Sequence, residues 1–417
     1  MDATFFTKIF LIALFLKSLI ESVLDKRNLD HILKNRHAVP EKFKDQITLQ
    51  EHQKACDYSV TKIRVNQYFH FFELIIFLGL TLFGGLELIN HLAIGFQTSP
   101  LVTGLVFFAL LGIFNFLVGL PKSLYFTFVI EEKFGFNKMT PKIFMTDVLK
   151  ASLLTIILGG SIAYSILWLM SKMGNLWWLY TFVFLTIVQI ALLFIYPTFI
   201  APFFNKFTPL SEGEVKDKIL ALLSKCGFKS SGLFIMDASK RSGHGNAYFT
   251  GFGKSKRIVF FDTLINTLDA HEIEAVLAHE LGHMKKKHII KGMIKSFLLS
   301  FVALAILGYL RNNSYFFNGH GVTTITDYMA ITLFSMVAGV YTFILTPLFS
   351  YSSRKHEYEA DAFAAEYADA KKLISSLVKM YKDNATSLTP DPIYSKFYYS
   401  HPPALERVQY LETLAKK

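Results

Sequence analysis

His279, Glu280 and His283 stand in the order His-Glu-Leu-Gly-His. Residues four apart on a helix share one side, so both imidazoles can reach one ion. Glu280 is turned about one residue away, which suits a carboxylate acting on metal-activated water rather than on the metal. The chemistry such a trio performs is metal-assisted hydrolysis. The pattern is short and arises by chance in many chains, so its surroundings decide its weight.

Those surroundings read as a helix over 269–284. Asp269 is placed as an N-cap with Glu272 three residues on. Ile273, Val276, Leu277, Leu281 and Met284 recur at helical spacing and mark a buried face, and Gly282 would let another element approach closely. Tetrahedral zinc needs a third protein ligand and an open position. The run Ser353-Arg-Lys-His-Glu-Tyr-Glu-Ala-Asp361 reads as a second helix, with Glu357 and Asp361 on one face. One can ligate while the other accepts the free N–H of a ligand histidine. Spacing does not say which, and Glu359, Glu366 and His356 remain alternatives. The two cysteines, Cys56 and Cys226, lie far apart and read as unpaired thiols, so a metal must be held by histidine and carboxylate.

The elements that must carry this site are mostly apolar. Hydrophobic residues make up 52% of the 417 and charged residues 18%, with 42 Phe. Soluble chains carry roughly 25% charge, so composition points to a membrane protein. Seven stretches are long and apolar enough to span: 5–24, 69–90, 101–120, 149–170, 176–197, 292–310 and 328–350. The first holds Lys8, Lys17 and Glu21 and lacks the basic start and cleavage site of a leader, so it is kept as a helix. Lys17 and Glu21 are four apart and can pair, either snorkelling near an interface or lining a wet cavity.

Basic loops alternate with neutral ones. The loops after the first and third spans and the segment after the fifth are rich in Lys and Arg, whereas 91–100 carries no charge. The positive-inside rule places the N-terminus outside the cytoplasm and segments 198–291 and 351–417 inside it. The net charge of +11 then reflects cytoplasmic loops facing anionic lipid rather than nucleic acid. Between spans, 211–226 reads as an amphipathic helix. Leu233–Met236, Asn246–Thr250 and Arg257–Phe261 read as β-strands, the last two around a turn at Gly251–Gly253.

Several ordered motifs together resemble one family, the type I CAAX prenyl endopeptidases, integral-membrane zinc proteases of the sterile-mutant type. The resemblance rests on the seven spans, the block Asp237-Ala-Ser-Lys-Arg-Ser-Gly-His-Gly-Asn-Ala-Tyr248, Phe261–Leu264, His279–His283, Ser353–Asp361, and Ser400-His-Pro-Pro403 with Arg407. Gly245 is a departure, since the family often has Ser there. The resemblance implies a mainly α membrane protein. It implies seven transmembrane helices enclosing a water-filled chamber, capped by a gluzincin-type zinc metalloprotease domain with a small β-sheet. It implies one zinc ion held by His279, His283 and Glu357, with Asp361 orienting a ligand histidine and Glu280 as general base. His401 would stabilise the transition state. Asn246, on an edge strand, and Arg407 would contact substrate.

The chain then divides into spans one to five (1–200), the first part of the protease domain (201–291), spans six and seven (292–351) and the second part (352–417). The expected substrate is a peptide or a prenylated protein with a C-terminal Cys-a-a-X tail, met at the lipid bilayer. Quality control of membrane proteins without a prenyl requirement is the alternative, and a zinc-stabilised transporter the remote one. The membrane is that of the endoplasmic reticulum in a eukaryote or the inner membrane in a bacterium. Oligomeric state is not readable.

Overall fold

The computed structural model describes residues 3–228, 232–250 and 257–416. Long helices dominate: α1 (Ala3–Asn35), α2 (Leu49–Leu80), α3 (Gly85–Ile94), α4 (Pro100–Tyr125), α5 (Pro141–Leu154), α6 (Gly160–Lys172) and α7 (Trp177–Ile195). Short π-helical turns prolong three of them, so continuous spans run over Pro100–Glu131, Pro141–Lys172 and Gly174–Phe204, the last ending in α8 (Ala201–Phe204).

A small sheet follows, made of β1 (Phe207–Pro209), β2 (Leu233–Met236), β3 (Ala247–Thr250) and β4 (Arg257–Phe261) in the order β1-β2-β4-β3. The helices α9 (Glu214–Lys225), α10 (Asp262–Thr267) and α11 (Ala270–Lys285) pack with it. Two further spans begin at α12 (His288–Leu310) and at α14 (Asp327–Thr342), with the short α13 (Ser314–Gly319) between them. The chain closes with α15 (Thr346–Tyr367), α16 (Ala370–Asp383), α17 (Pro392–Tyr398) and α18 (Ala404–Ala415).

Six of the seven expected spans fall inside observed helices. Among the described residues six helices are long and apolar enough to cross a membrane, or seven if one bent pair is a single span. That pair is the expected span 69–90, which the structure breaks: α2 and α3 meet at 56°. Two local causes are visible. The Thr81 hydroxyl donates back to Phe77 O at 2.8 Å, a bond that bends helices, and Gly84 turns left-handed at φ +79°.

The helices also overshoot the apolar stretches. α1 has 33 residues, about 50 Å at 1.5 Å per residue, against a hydrocarbon core of about 30 Å. The overhang is polar and anchored: Arg27 pairs with Asp391 at 2.9 Å. Apolar side chains such as Phe15, Ile156, Phe199 and Ile344 stand exposed on the outer faces, where only lipid makes their exposure inexpensive.

The two ends of the molecule differ as the loop charges predict. One end joins Lys42 to Glu412, Glu51 to Lys382, and Asn137 to Ser242 across a β-bridge, so the basic loops meet the sheet and the last helices. The other end joins Glu87 to Thr323 and Thr324, and Arg311 to Asp327. Between the ends, α1, α2 and α14 flank a cavity of about 860 Å³. Lys17 and Glu21 pair at 3.3 Å and both line it, so the pair faces an open space.

The expected strands appear at 233–236, 247–250 and 257–261, and the expected helix 211–226 at Glu214–Lys225. The expected turn at Gly251–Gly253 lies outside the described residues. β4 is central, parallel to β2 and antiparallel to β3, with Ala247 opposite Phe260. Ile258 and Phe260 share one core with Ile219 and Leu222 of α9 and with Ile273, Leu277 and Leu281 of α11. The buried stripe read from the sequence thus roots α11 against the sheet.

Candidate metal centre

The start of α11 is fixed by its own side chains. Asp269 accepts from Glu272 N and Glu272 accepts from Asp269 N, both at 2.9 Å, the reciprocal capping box expected at this position. Glu272 is buried and also accepts from Ser375 and Lys379 of α16 at 2.7 Å each. One turn from the other end, Gly282 faces α15. A Cβ there would lie 2.9 Å from Ala360 Cα, so only glycine lets the two helices touch.

That contact sets His279 and His283 opposite Glu357. Their Nε2 atoms are 3.1 Å apart, and Glu357 carboxylate oxygens lie 3.4 Å from His279 Nε2 and 3.3 Å from His283 Nε2. Ligands at 2.0–2.1 Å around a tetrahedral ion are separated by ~3.3 Å, so the triangle has the size such an ion needs. Glu357 Oε2 is buried with no hydrogen-bond partner, which a cation would supply. Burial and the nearby Arg407 disfavour a charged His279, but the neighbouring carboxylates of Asp361 and Glu357 outweigh both and lift the imidazole to about 9. The cluster therefore attracts positive charge, and its donor set fits a divalent metal.

The two acidic candidates on α15 separate cleanly. Glu357 faces the imidazole Nε2 atoms. Asp361 lies behind them, accepting from His279 Nδ1 at 2.8 Å. The three remaining candidates stand elsewhere: Glu359 bonds His288 at 2.9 Å, His356 stacks on the His288 ring, and Glu366 is exposed. Glu280 borders the cluster half-buried, and burial pushes its carboxyl above the ordinary value while His279 and His283 pull it back.

His401 reaches the same cluster from the loop before α18. Its Nδ1 meets Ser400 Oγ at 3.0 Å, which leaves Nε2 turned toward Glu357 Oε1 at 3.6 Å. Asn246 is exposed at the head of β3, the edge strand. A Cβ at Gly245 would meet Leu264 at 3.4 Å, an ordinary contact, so the turn before it does not require glycine.

Arg407 lies behind the cluster. Substrate contact was expected of it, yet it is 7% exposed and spends its guanidinium on Asp361, with Nε and Nη2 each donating at 2.8 Å. It braces the partner of His279. His288 was not singled out from the sequence, yet its Nδ1 lies 3.0 Å from His283 Nδ1. Its signal was a histidine five residues on, a spacing that no single helix face joins. Cys56 and Cys226 are free, as read, and the structure buries both.

Comparison with known proteins places the chain in a family. The family described as CAAX prenyl protease N-terminal, five membrane helices, matches residues 28–206, and peptidase family M48 matches 209–415. CAAX prenyl protease 1 of Saccharomyces cerevisiae is 40% identical over 337 residues, covering 77% of this chain and 74% of its own. The Arabidopsis thaliana homolog is 35% identical over 412 residues, 96% of each chain. The crystal structure of S. mikatae Ste24p superposes with a TM-score of 0.91 at 34% identity, covering 98% of this chain and 99% of that one. A match of that extent takes in the spans, the sheet and the metal centre together: the chain belongs to peptidase family M48, as a multi-pass membrane metallopeptidase of the CAAX prenyl protease 1 type.

Proposed function

We propose that this chain is a zinc-dependent endopeptidase that removes the C-terminal tripeptide from prenylated proteins ending in a Cys-a-a-X motif, at the cytoplasmic face of its membrane. The observation that carries the reading is the triangle of His279, His283 and Glu357 held against an orphaned Glu357 oxygen. The relatives named CAAX prenyl proteases support the substrate class. The basic loops gathered at the metal-site end support the cytoplasmic face.

His279, His283 and Glu357 hold one zinc ion. A bound zinc supplies Lewis acidity, polarising a carbonyl and making water acidic. Glu280 takes the proton from the attacking water and passes it to the departing amine. Its burial raises its proton affinity toward the range a general base needs. His401 donates from Nε2 to the oxygen on which charge develops, the Ser400 contact at Nδ1 fixing which nitrogen faces the site. Asp361 holds His279 in the tautomer that leaves Nε2 free, and Arg407 holds Asp361. An extended peptide adds to the free edge of β3 beside Asn246, backbone to backbone.

The test is cleavage of a farnesylated Cys-a-a-X peptide and its unmodified twin by the chain reconstituted in lipid, with and without a zinc chelator, read by product mass. The expected result is release of the tripeptide from the farnesylated peptide alone, abolished by the chelator and restored by zinc. Equal cleavage of the twin overturns the prenyl requirement, and cleavage that resists the chelator overturns the zinc reading. Glu280→Gln should abolish turnover while zinc content stays at that of the unaltered chain.

A further inference from the structure

The two ligand histidines are held from behind by different devices. His279 Nδ1 meets Asp361, which is fully buried and clamped by Arg407. His283 has no carboxylate at that position. Its Nδ1 lies 3.0 Å from Nδ1 of His288, whose Nε2 lies 2.9 Å from Glu359 Oε2. Lys291 stands 3.8 Å from the same carboxylate, and the His356 ring stacks on His288 with centroids 4.0 Å apart.

The direction of these bonds follows from one requirement. A neutral imidazole that ligates through Nε2 carries its proton on Nδ1. His283 Nε2 faces His279 Nε2 and Glu357, so His283 Nδ1–H donates to His288. His288 Nδ1 must then accept, its proton sits on Nε2, and that proton donates to Glu359. Every polar atom of His288 has one use, and reversing either bond would leave two donors or two acceptors face to face.

The backbone is bent to make this chain. A continuous helix would carry the fifth residue after His283 about 140° around the axis, away from it. α11 instead ends at Lys285. Lys287, at φ +58°, adopts a left-handed conformation that side-chain-bearing residues rarely take, and α12 begins at His288. The turn folds a buried His288 directly behind His283.

We propose that His288 and Glu359 are positioning residues of the metal site, a histidine–carboxylate relay that fixes the tautomer and ring orientation of His283. The inference rests on His279, His283 and Glu357 being the zinc ligands. The relay carries the carboxylate's influence through a second imidazole, so the His283 arm is tuned from a partly exposed group while the His279 arm is tuned from a sealed one.

The test measures zinc affinity by graded chelator competition on the full-length chain in lipid nanodiscs. Melting temperature is measured for the zinc-loaded and zinc-stripped forms. His288→Ala is expected to weaken zinc about 10–100-fold, the range found for loss of such outer partners. His288→Asn, whose side-chain oxygen sits where Nδ1 does, should recover most of that loss. Glu359→Ala should weaken zinc several-fold and Glu359→Gln, which still accepts from His288, much less. The rise in melting temperature on zinc loading should shrink in His288→Ala. A merely structural role would lower both forms equally and leave that rise unchanged.

Wild-type zinc affinity in His288→Ala, or an Asn variant no better than Ala, overturns the relay. If His288→Ala does not fold, Glu359→Ala carries the test, and unchanged affinity there overturns it. His283→Ala is the control for the underlying reading. If it binds zinc as tightly as the unaltered chain, the ligand set itself is wrong, whatever the His288 variants do.

Discussion

α11 and α15 meet at Gly282 and Ala360, yet they reach that contact from different surroundings. α11 starts at a reciprocal cap and is packed on the sheet core, so its position is set within the protease domain. α15 has no side-chain cap. It continues from α14 through a short 3₁₀ turn at Phe343–Leu345, within one long run from Asp327 to Tyr367. Two of the three candidate ligands are thus placed by a domain core and the third by the end of a membrane span. The centre is a joint between them: the helices touch at Gly282, share an apolar core through Phe363 and Ala364, and are bridged by Asp361, which Arg407 of α18 clamps.

The most damaging way to open it is to remove the clamp. Arg407→Ala should cost about 3–5 kcal/mol, because Asp361 is left charged in the interior with only His279 Nδ1 as a partner. Denaturation of the solubilised chain measures this. Arg407→Lys should recover only part, since an ammonium cannot bond both carboxylate oxygens at once. A neutral outcome for Arg407→Ala would mean that the clamp contributes nothing to stability and that His279 alone satisfies Asp361. Gly282→Ala wedges the helices directly and should cost about 1–3 kcal/mol, with kcat/KM falling as Glu357 leaves the two histidines.

Smaller changes separate the two sides. Asp269→Ala removes the cap of α11 and should cost about 1 kcal/mol, while zinc content stays unchanged. Acidification probes the same side. Burial raises the affinity of Glu272 for a proton, but bonds from Lys379, Ser375 and Asp269 outweigh it and hold the group below its ordinary value. Its contribution is therefore complete above the unfolded-state value of about 4.3 and is lost as pH falls through the lower folded value. Glu272→Gln should flatten that acid limb of the stability curve; an unchanged limb would show that Glu272 is not its source. Reconstitution in thicker or thinner bilayers acts on the other side, through the span that feeds α15. At a fraction of a kcal/mol per Å of mismatch the change in turnover should be about twofold. Asp269→Ala should neither enlarge nor cancel it.

How far the sequence reached follows from the range of the physics involved. The His279–His283 pair, the Asp269 cap and the buried stripe of α11 are local helical periodicities, and all were legible. Glu357 and Asp361 were legible as a pair sharing one face. Only the fold shows that one looks toward the imidazole Nε2 atoms and the other lies behind them. The break between α2 and α3 was missed because hydropathy runs unbroken through it, while Thr81 and Gly84 act through backbone geometry. His288 was hidden by a left-handed lysine that no propensity foretells. Arg407 was legible only through the family resemblance, since nothing local in the sequence shows that Asp361 is its buried partner.

The clamp also orders events in time. His279 and Arg407 are 128 residues apart, and Arg407 lies on α18, the last of the described helices. During synthesis α11 and the span leading into α15 are made long before α18 emerges. Until it does, Asp361 lacks the guanidinium that offsets its burial, and His279 lacks a firmly held partner. A nascent chain can insert its spans and fold its sheet first, and the clamp on Asp361 closes only once the helix that begins at Ala404 has emerged and docked.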